Sequence, residues 1–124
     1  MSPSAKLQPR AVLLVDRENR HSATTRWFLG SFGFAVEVVR TAEEALARFD
    51  PAVHDVVITA GALPAMSGTE LAHIIKLRSS STPVVLLSEA PPDDPSCFNW
   101  IIEDPANALA VKEAVDRLLA GRPK

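Results

Sequence analysis

The chain has 124 residues, enough for one domain with a real core and too few for two. Hydrophobic residues make up 47% and charged residues 23%, an ordinary globular balance, and a net charge of −2 argues against a nucleic-acid or anionic-membrane surface. No apolar run reaches the ~20 residues that span a bilayer, the stretch Met1 to Arg10 has no apolar leader core, and Cys97 is the single cysteine. An internal disulfide framework is thereby excluded, and the expectation is a soluble, cytoplasmic, single-domain protein.

Residues 1–10 read as a disordered lead and 121–124 as a C-terminal tail, leaving a domain over 11–120. Ala11-Val12-Leu13-Leu14-Val15 is a continuous aliphatic run, as in strands buried on both faces. From about Asn19 to Ser31 the pattern turns helical, with Ala23, Trp27 or Phe28, and Phe32 marking one face before Gly33 ends it. Ala35 to Val39 gives a second strand interrupted by Glu37. Thr41-Ala42-Glu43-Glu44 is a capping box, in which the hydroxyl accepts from the backbone N–H three residues on. The helix behind it stops near Pro51.

Asp55 to Thr59 is a third strand and Ala60 to Met66 a loop. Ser67-Gly68-Thr69-Glu70, a second capping box, opens a helix carrying Leu71, Ile74 and Ile75. A Ser-rich turn leads to the strand Val84-Val85-Leu86-Leu87. Ala90 to Pro95 holds three prolines and two aspartates, which opposes a full helix there. Trp100-Ile101-Ile102 is a fifth strand. Pro105 suits the first turn of a last helix with Ala108, Val111, Val115 and Leu118 as its apolar stripe.

Five buried strands alternating with helices imply a parallel sheet with right-handed crossovers. Ligand chemistry in such sheets gathers beyond the strand C-termini. The residues there are Asp16-Arg17-Glu18 after strand one, Ala60 after strand three, Ser88-Glu89 after strand four and Glu103-Asp104-Pro105 after strand five.

Three stretches carry a resemblance to a known family: Val12 to Asp16, Leu63-Pro64-Ala65-Met66-Ser67-Gly68-Thr69-Glu70-Leu71, and Thr82 to Ser88. Together they make the chain, from about Ala11 to Leu119, resemble bacterial two-component response-regulator receiver domains. The resemblance implies a flavodoxin-like (CheY-like), doubly wound α/β fold with strand order 2-1-3-4-5. The helix between strands four and five, fourth in the family's order, is expected to be shortened or missing here.

In that family an aspartate at the end of strand three accepts a phosphoryl group. Acids after strand one hold Mg²⁺. A Ser or Thr after strand four, and a Lys before Pro after strand five, bind the phosphoryl oxygens. Asp16 and Ser88 match this pattern, with Glu18 near the first acid. Arg17 falls where the second acid belongs, and a fixed cation there opposes divalent binding. Ala60 falls at the acceptor position, and its methyl group cannot take a phosphate. Asp104 falls at the Lys position; the family's strand-five aromatic aligns with Trp100 only if Glu103 takes that slot instead, and either register puts an acid there.

The resemblance therefore implies a degenerate, non-enzymatic pseudo-receiver. It needs no cofactor, its Mg²⁺ binding is weak or absent, and it acts by phosphorylation-independent interaction with a histidine kinase, another regulator, an output domain or a second copy. Neither nucleic acid nor membrane is expected as a partner. The alternative is a phospho-switch receiver captured as an Asp-to-Ala variant at position 60, against which Arg17 and the acidic strand-five end both weigh. A flavin enzyme on the same fold is opposed by the loop after strand one, which lacks a Ser/Thr/Gly-rich phosphate cradle.

Further expectations follow. Arg17 and Asp104 (or Glu103) exchange the family's charge signs, and an ion pair closing the pocket is the corresponding hypothesis. Cys97, Phe98 and Trp100 are either an altered interaction surface or filler over the sheet edge. His21, His54 and His73 are scattered over three elements, show no metal-ligand spacing and read as surface or helix-face residues. Cys97, with no histidine near it in sequence, has no catalytic partner, and its acidic, Pro-rich loop should raise its pKa. Thr59 and Ser67 flank Ala60 as backbone caps, and Gly61 and Gly68 form no phosphate-cradling motif.

Overall fold

The aliphatic runs fold as strands in the computed structural model, which describes residues 10–120. β1 (Ala11–Val15), β2 (Ala35–Val39), β3 (Val56–Ala60), β4 (Val84–Leu87) and β5 (Trp100–Ile102) pair in parallel in the order β2-β1-β3-β4-β5. Four helices flank them: α1 (Asn19–Ser31), α2 (Ala42–Arg48), α3 (Gly68–Arg78) and α4 (Ala108–Leu119). This is the flavodoxin-like arrangement expected from the sequence.

Side chains alternate across a strand, so each central strand feeds two cores. Leu13, Val15, Val57 and Val84 pack with Ala42 and Ala45 of α2 and with Leu71, Ala72 and Ile75 of α3. Val12, Leu14, Val56 and Ile58 pack on the other face with Leu29 of α1 and Val111, Ala114, Val115 and Leu119 of α4. The continuous aliphatic sequence of β1, and of β3 from Val56 to Ile58, follows from this two-sided burial.

Both capping boxes form. Thr41 Oγ1 accepts from Glu44 N at 3.0 Å and Ser67 Oγ from Glu70 N at 3.1 Å. The Glu44 carboxylate reaches Arg40 N, one residue short of the capping Thr41. Between β3 and α3 the expected loop contains a small antiparallel ribbon, Ala62–Leu63 with Met66–Ser67, turned by Pro64 and by Ala65 at φ +65°.

Four expectations need correction. The buried face of α1 is Ser22, Thr25 and Leu29, while Trp27 is 72% and Phe32 55% exposed. The helix tolerates this because Ser22 Oγ donates to the Glu18 carbonyl, and Phe32 finds surface partners in the Phe28 edge and the Lys112 ammonium, 4.4 Å from its ring centroid. The last helix begins at Ala108, capped by the Asn107 side chain, with Pro105 in the turn before it; Ala114 and Leu119 share its buried face with Val111 and Val115.

His54 is a core residue, 4% exposed and stacked on Phe49. Its Nδ1 accepts from Asp50 N, so Nε2 carries the proton and donates to Glu37 Oε1 at 3.0 Å. That bond, with Arg48 at 2.9 Å, accounts for the acid in the middle of β2. Arg10, assigned by the sequence to the lead, belongs to the fold: its carbonyl accepts from Ala35 N and its guanidinium donates to the Leu119 carbonyl. The remaining lead and the tail lie outside the described residues. No described helix is long and apolar enough to cross a membrane.

Candidate functional site

Parallel register assembles the site. Val15 stands opposite Thr59 and Ala60 opposite Leu87, so the chain leaves β1, β3 and β4 side by side at one edge of the sheet. Asp16, Arg17, Glu18, Ala60 and Glu89 line the resulting cleft, with His21 reaching in from α1 and Pro105 closing the far side. Of the strand-end residues singled out from the sequence, Asp16, Arg17, Glu18, Ala60, Glu89 and Pro105 line this one cleft and Ser88, Glu103 and Asp104 do not; His21, read as a scattered histidine, joins them.

Backbone bonds hold one oxygen of Asp16 inside the cleft and the hydroxyls of Ser88, Ser67 and Thr59 beside it, outside the cleft lining. Asp16 Oδ1 accepts from Glu18 N at 3.0 Å, tying down the loop after β1. Ser88 Oγ accepts from Ala90 N at 3.2 Å and donates to the Ala90 carbonyl at 2.9 Å, closing the turn after β4. Ser67 caps α3, and the Thr59 hydroxyl bonds the Ala60 carbonyl. Ala60 contributes a methyl group.

Arg17 is exposed and pairs with neither Glu103 nor Asp104, which overturns the expected ion pair. Asp104 Oδ1 instead accepts from Ala106 N at 3.0 Å, shaping the turn around Pro105, and Glu103 lines a neighbouring hollow with Ser88. All three charges are solvated, so a pair would gain little and cost side-chain freedom.

The carboxylates of the cleft do not form a ready cation cage. Among the described residues, the group of three or more acid, histidine or cysteine ligand atoms that converges lies elsewhere, at His73, Asp94 and Cys97. Asp16 has one oxygen committed to Glu18 N, and Arg17 stands between the two acids in sequence.

Between β4 and β5 a single 3-10 turn, Pro95–Cys97, replaces a helix. Asp94 starts it, accepting from Ser96 N and Ser96 Oγ on Oδ1. Cys97 is 7% exposed and packs in the core with α3, and the partly buried Phe98 packs against the same cluster. They fill the space over the sheet edge, whereas Trp100 and Ile101 stay partly exposed on β5. Burial, and then the Asp94 carboxylate, push the Cys97 thiol up as the sequence suggested. Cys97 does have a histidine nearby: His73 of α3, whose Nε2 lies 3.0 Å from Asp94 Oδ2. An Asp-x-x-Cys pair in a proline-rich turn was the available signal, but the partner histidine is set by packing.

Residues 12–117 match the family model of the response regulator receiver domain. The chain belongs to that family. A Haloferax volcanii protein is 31% identical over 121 residues, covering 95% of this chain and 21% of its own length. The sensory transduction protein RegX3 of Mycobacterium tuberculosis is 36% identical over 78 residues, 63% of this chain and 34% of that one. This receiver therefore spans about a fifth to a third of the curated relatives it matches. In fold it is similar to the Thermotoga maritima response regulator TrrA, solved in complex with Mg²⁺-BeF, with TM-score 0.81, 24% identity and 89% and 99% of the two chains covered. TrrA has also been solved in complex with the histidine kinase ThkA. The receiver domain of HemR from Leptospira biflexa has TM-score 0.81 at 21% identity, covering 93% and 98%.

Proposed function

We propose that this receiver is a pseudo-receiver, a signalling module that works by protein–protein interaction without accepting a phosphoryl group. The observation that carries the reading is Ala60, the last residue of β3, at the floor of the cleft beside Asp16. A methyl group offers no oxygen to attack phosphorus. Arg17 on the rim and the acids Glu103 and Asp104 after β5 add charges of the wrong sign for Mg²⁺ and phosphoryl oxygens. The Ser88 hydroxyl, otherwise suited to such an oxygen, is engaged by its own turn. Mg²⁺ binding is correspondingly weak or absent, and no catalysis is assigned.

The partner is a protein: a histidine kinase of the kind TrrA meets in ThkA, another regulator, an output domain or a second copy. The β4–β5 face, shortened to a 3-10 turn and showing Trp100 and Ile101, is the surface for such contacts. A free, buried cysteine agrees with the reducing cytoplasm as its compartment.

Incubation with acetyl phosphate and Mg²⁺, read by intact-mass spectrometry, tests the reading. The expected result is an unchanged mass under conditions that label a competent receiver. A phosphoryl adduct on a residue of the cleft would overturn it.

A further inference from the structure

His73 comes from α3 and Asp94 and Cys97 from the 3-10 turn, yet their ligand atoms all lie within 4.8 Å of one another. We propose that they bind a Zn²⁺ ion through one imidazole nitrogen, one carboxylate oxygen and one thiolate, with a fourth position open to water. This mixed N, O, S set suits zinc, whereas Mg²⁺ and Ca²⁺ demand oxygen ligands. The site is separate from the cleft around Ala60 and does not depend on the pseudo-receiver reading.

The local geometry is built for three ligands. α3 carries His73 on its exposed side, facing the 3-10 turn that replaces a helix between β4 and β5. Asp94 is fixed through Oδ1 by the Ser96 amide and hydroxyl, which leaves Oδ2 turned toward His73 at 3.0 Å. Such outer-shell bonds orient ligating carboxylates in zinc proteins. Cys97 Sγ sits at the floor, with its proton donated to the Asp94 carbonyl at 3.1 Å. The side chains of His73 and Asp94 are 52% and 43% exposed above it, which gives an ion an entry path.

Binding balances simply. The Cys97 thiol releases its proton to solvent and the sulfur–zinc bond replaces the S–H···O contact. His73 Nε2 gives up the proton it shares with Asp94 Oδ2, Nδ1 takes one from solvent so that the ring stays neutral, and the zinc–nitrogen and zinc–oxygen bonds replace that Nε2–H···Oδ2 hydrogen bond. A carboxylate beside a buried thiol disfavours the thiolate in the apo protein; the cation supplies the missing counter-charge. The same combination of burial and a raised pKa argues against Cys97 as a nucleophile. Zinc would clamp the β4–β5 connection to α3, making the shape of that face depend on the metal.

Zn²⁺ titration of the full chain by calorimetry, with Co²⁺ substitution as a spectroscopic probe, tests this. One site per chain is expected, with a thiolate-to-cobalt charge-transfer band and a higher melting temperature in excess Zn²⁺. His73→Gln and Cys97→Ala should each weaken binding at least about tenfold, taking the loss from an outer-shell change as the floor. His73 is exposed, so His73→Gln leaves the fold intact (checked by circular dichroism) should Cys97→Ala unfold. No saturable uptake, a cobalt spectrum without the thiolate band, or unchanged affinity in His73→Gln would overturn the site.

Discussion

A Cβ added to Gly68 would stand 2.3 Å from the carbonyl oxygen of Ala60. The first residue of α3 and the last of β3 therefore touch through bare backbone, and the Gly68 amide locks the contact by donating to the Gly61 carbonyl at 2.8 Å. This is why the Met-Ser-Gly turn ends in glycine: it sets the floor of the cleft. Gly68→Ala should cost about 3 kcal/mol, at the upper end for overpacking, because the obstacle is backbone and cannot rotate away. Urea unfolding measures it, and a loss under about 1 kcal/mol would contradict the close approach.

The two faces of α1 make opposite predictions. Leu29→Ala removes a fully buried side chain and should destabilise by about 2–5 kcal/mol. Trp27→Ala, despite the larger residue, should stay within about 0.5 kcal/mol because Trp27 is 72% exposed. The reverse order in thermal melts would restore the aromatic face inferred from sequence.

Glu37 is held below the usual carboxylate range, chiefly by the His54 hydrogen bond and then by Arg48, with its slight burial opposing both. A lowered folded pKa gives stability that is present above the unfolded value and lost as pH falls through the folded one. Stability should therefore drop on acidification below the ordinary glutamate pKa of 4.5, and Glu37→Gln should flatten that part of the profile. Denaturant midpoints at successive pH values report the slope. An identical slope in the variant would remove Glu37 from the account.

Restoring the acceptor alone should not restore the chemistry. Ala60→Asp retains Arg17 and the acid at the end of β5, so acetyl phosphate with Mg²⁺ should still leave its mass unchanged. Adding Arg17→Asp and Asp104→Lys supplies the family's charges, and uptake that depends on Mg²⁺ should then appear. Full phosphorylation of the single variant would mean that Arg17 and Asp104 do not disable the site.

The sheet was legible because strands buried on both faces run nearly continuously aliphatic, as β1 and β4 do throughout and β3 does apart from the buried Thr59. Strand order came from the family resemblance, and with it the meeting of Asp16 and Ala60. The α1 face was misread because Thr25 and Ser22, whose hydroxyl donates to the Glu18 carbonyl, turn inward while Trp27 and Phe32 stay outside. The His73–Asp94–Cys97 cluster was hidden for another reason. Asp94 and Cys97 meet His73 through the packing of an irregular turn on a helix, and no sequence period encodes that. Arg17 shows the limit of charge matching, since exchanged signs do not make a pair when both partners remain in water.

The most direct test of the central claim is a titration of the full chain with Mg²⁺ and beryllofluoride, a phosphoryl mimic, followed through backbone amide NMR. The account predicts no saturable shift at Asp16, Ala60 or Ser88 at millimolar-scale ligand. Saturable shifts centred on those three residues would show a pocket that still holds a phosphoryl group, and would contradict it.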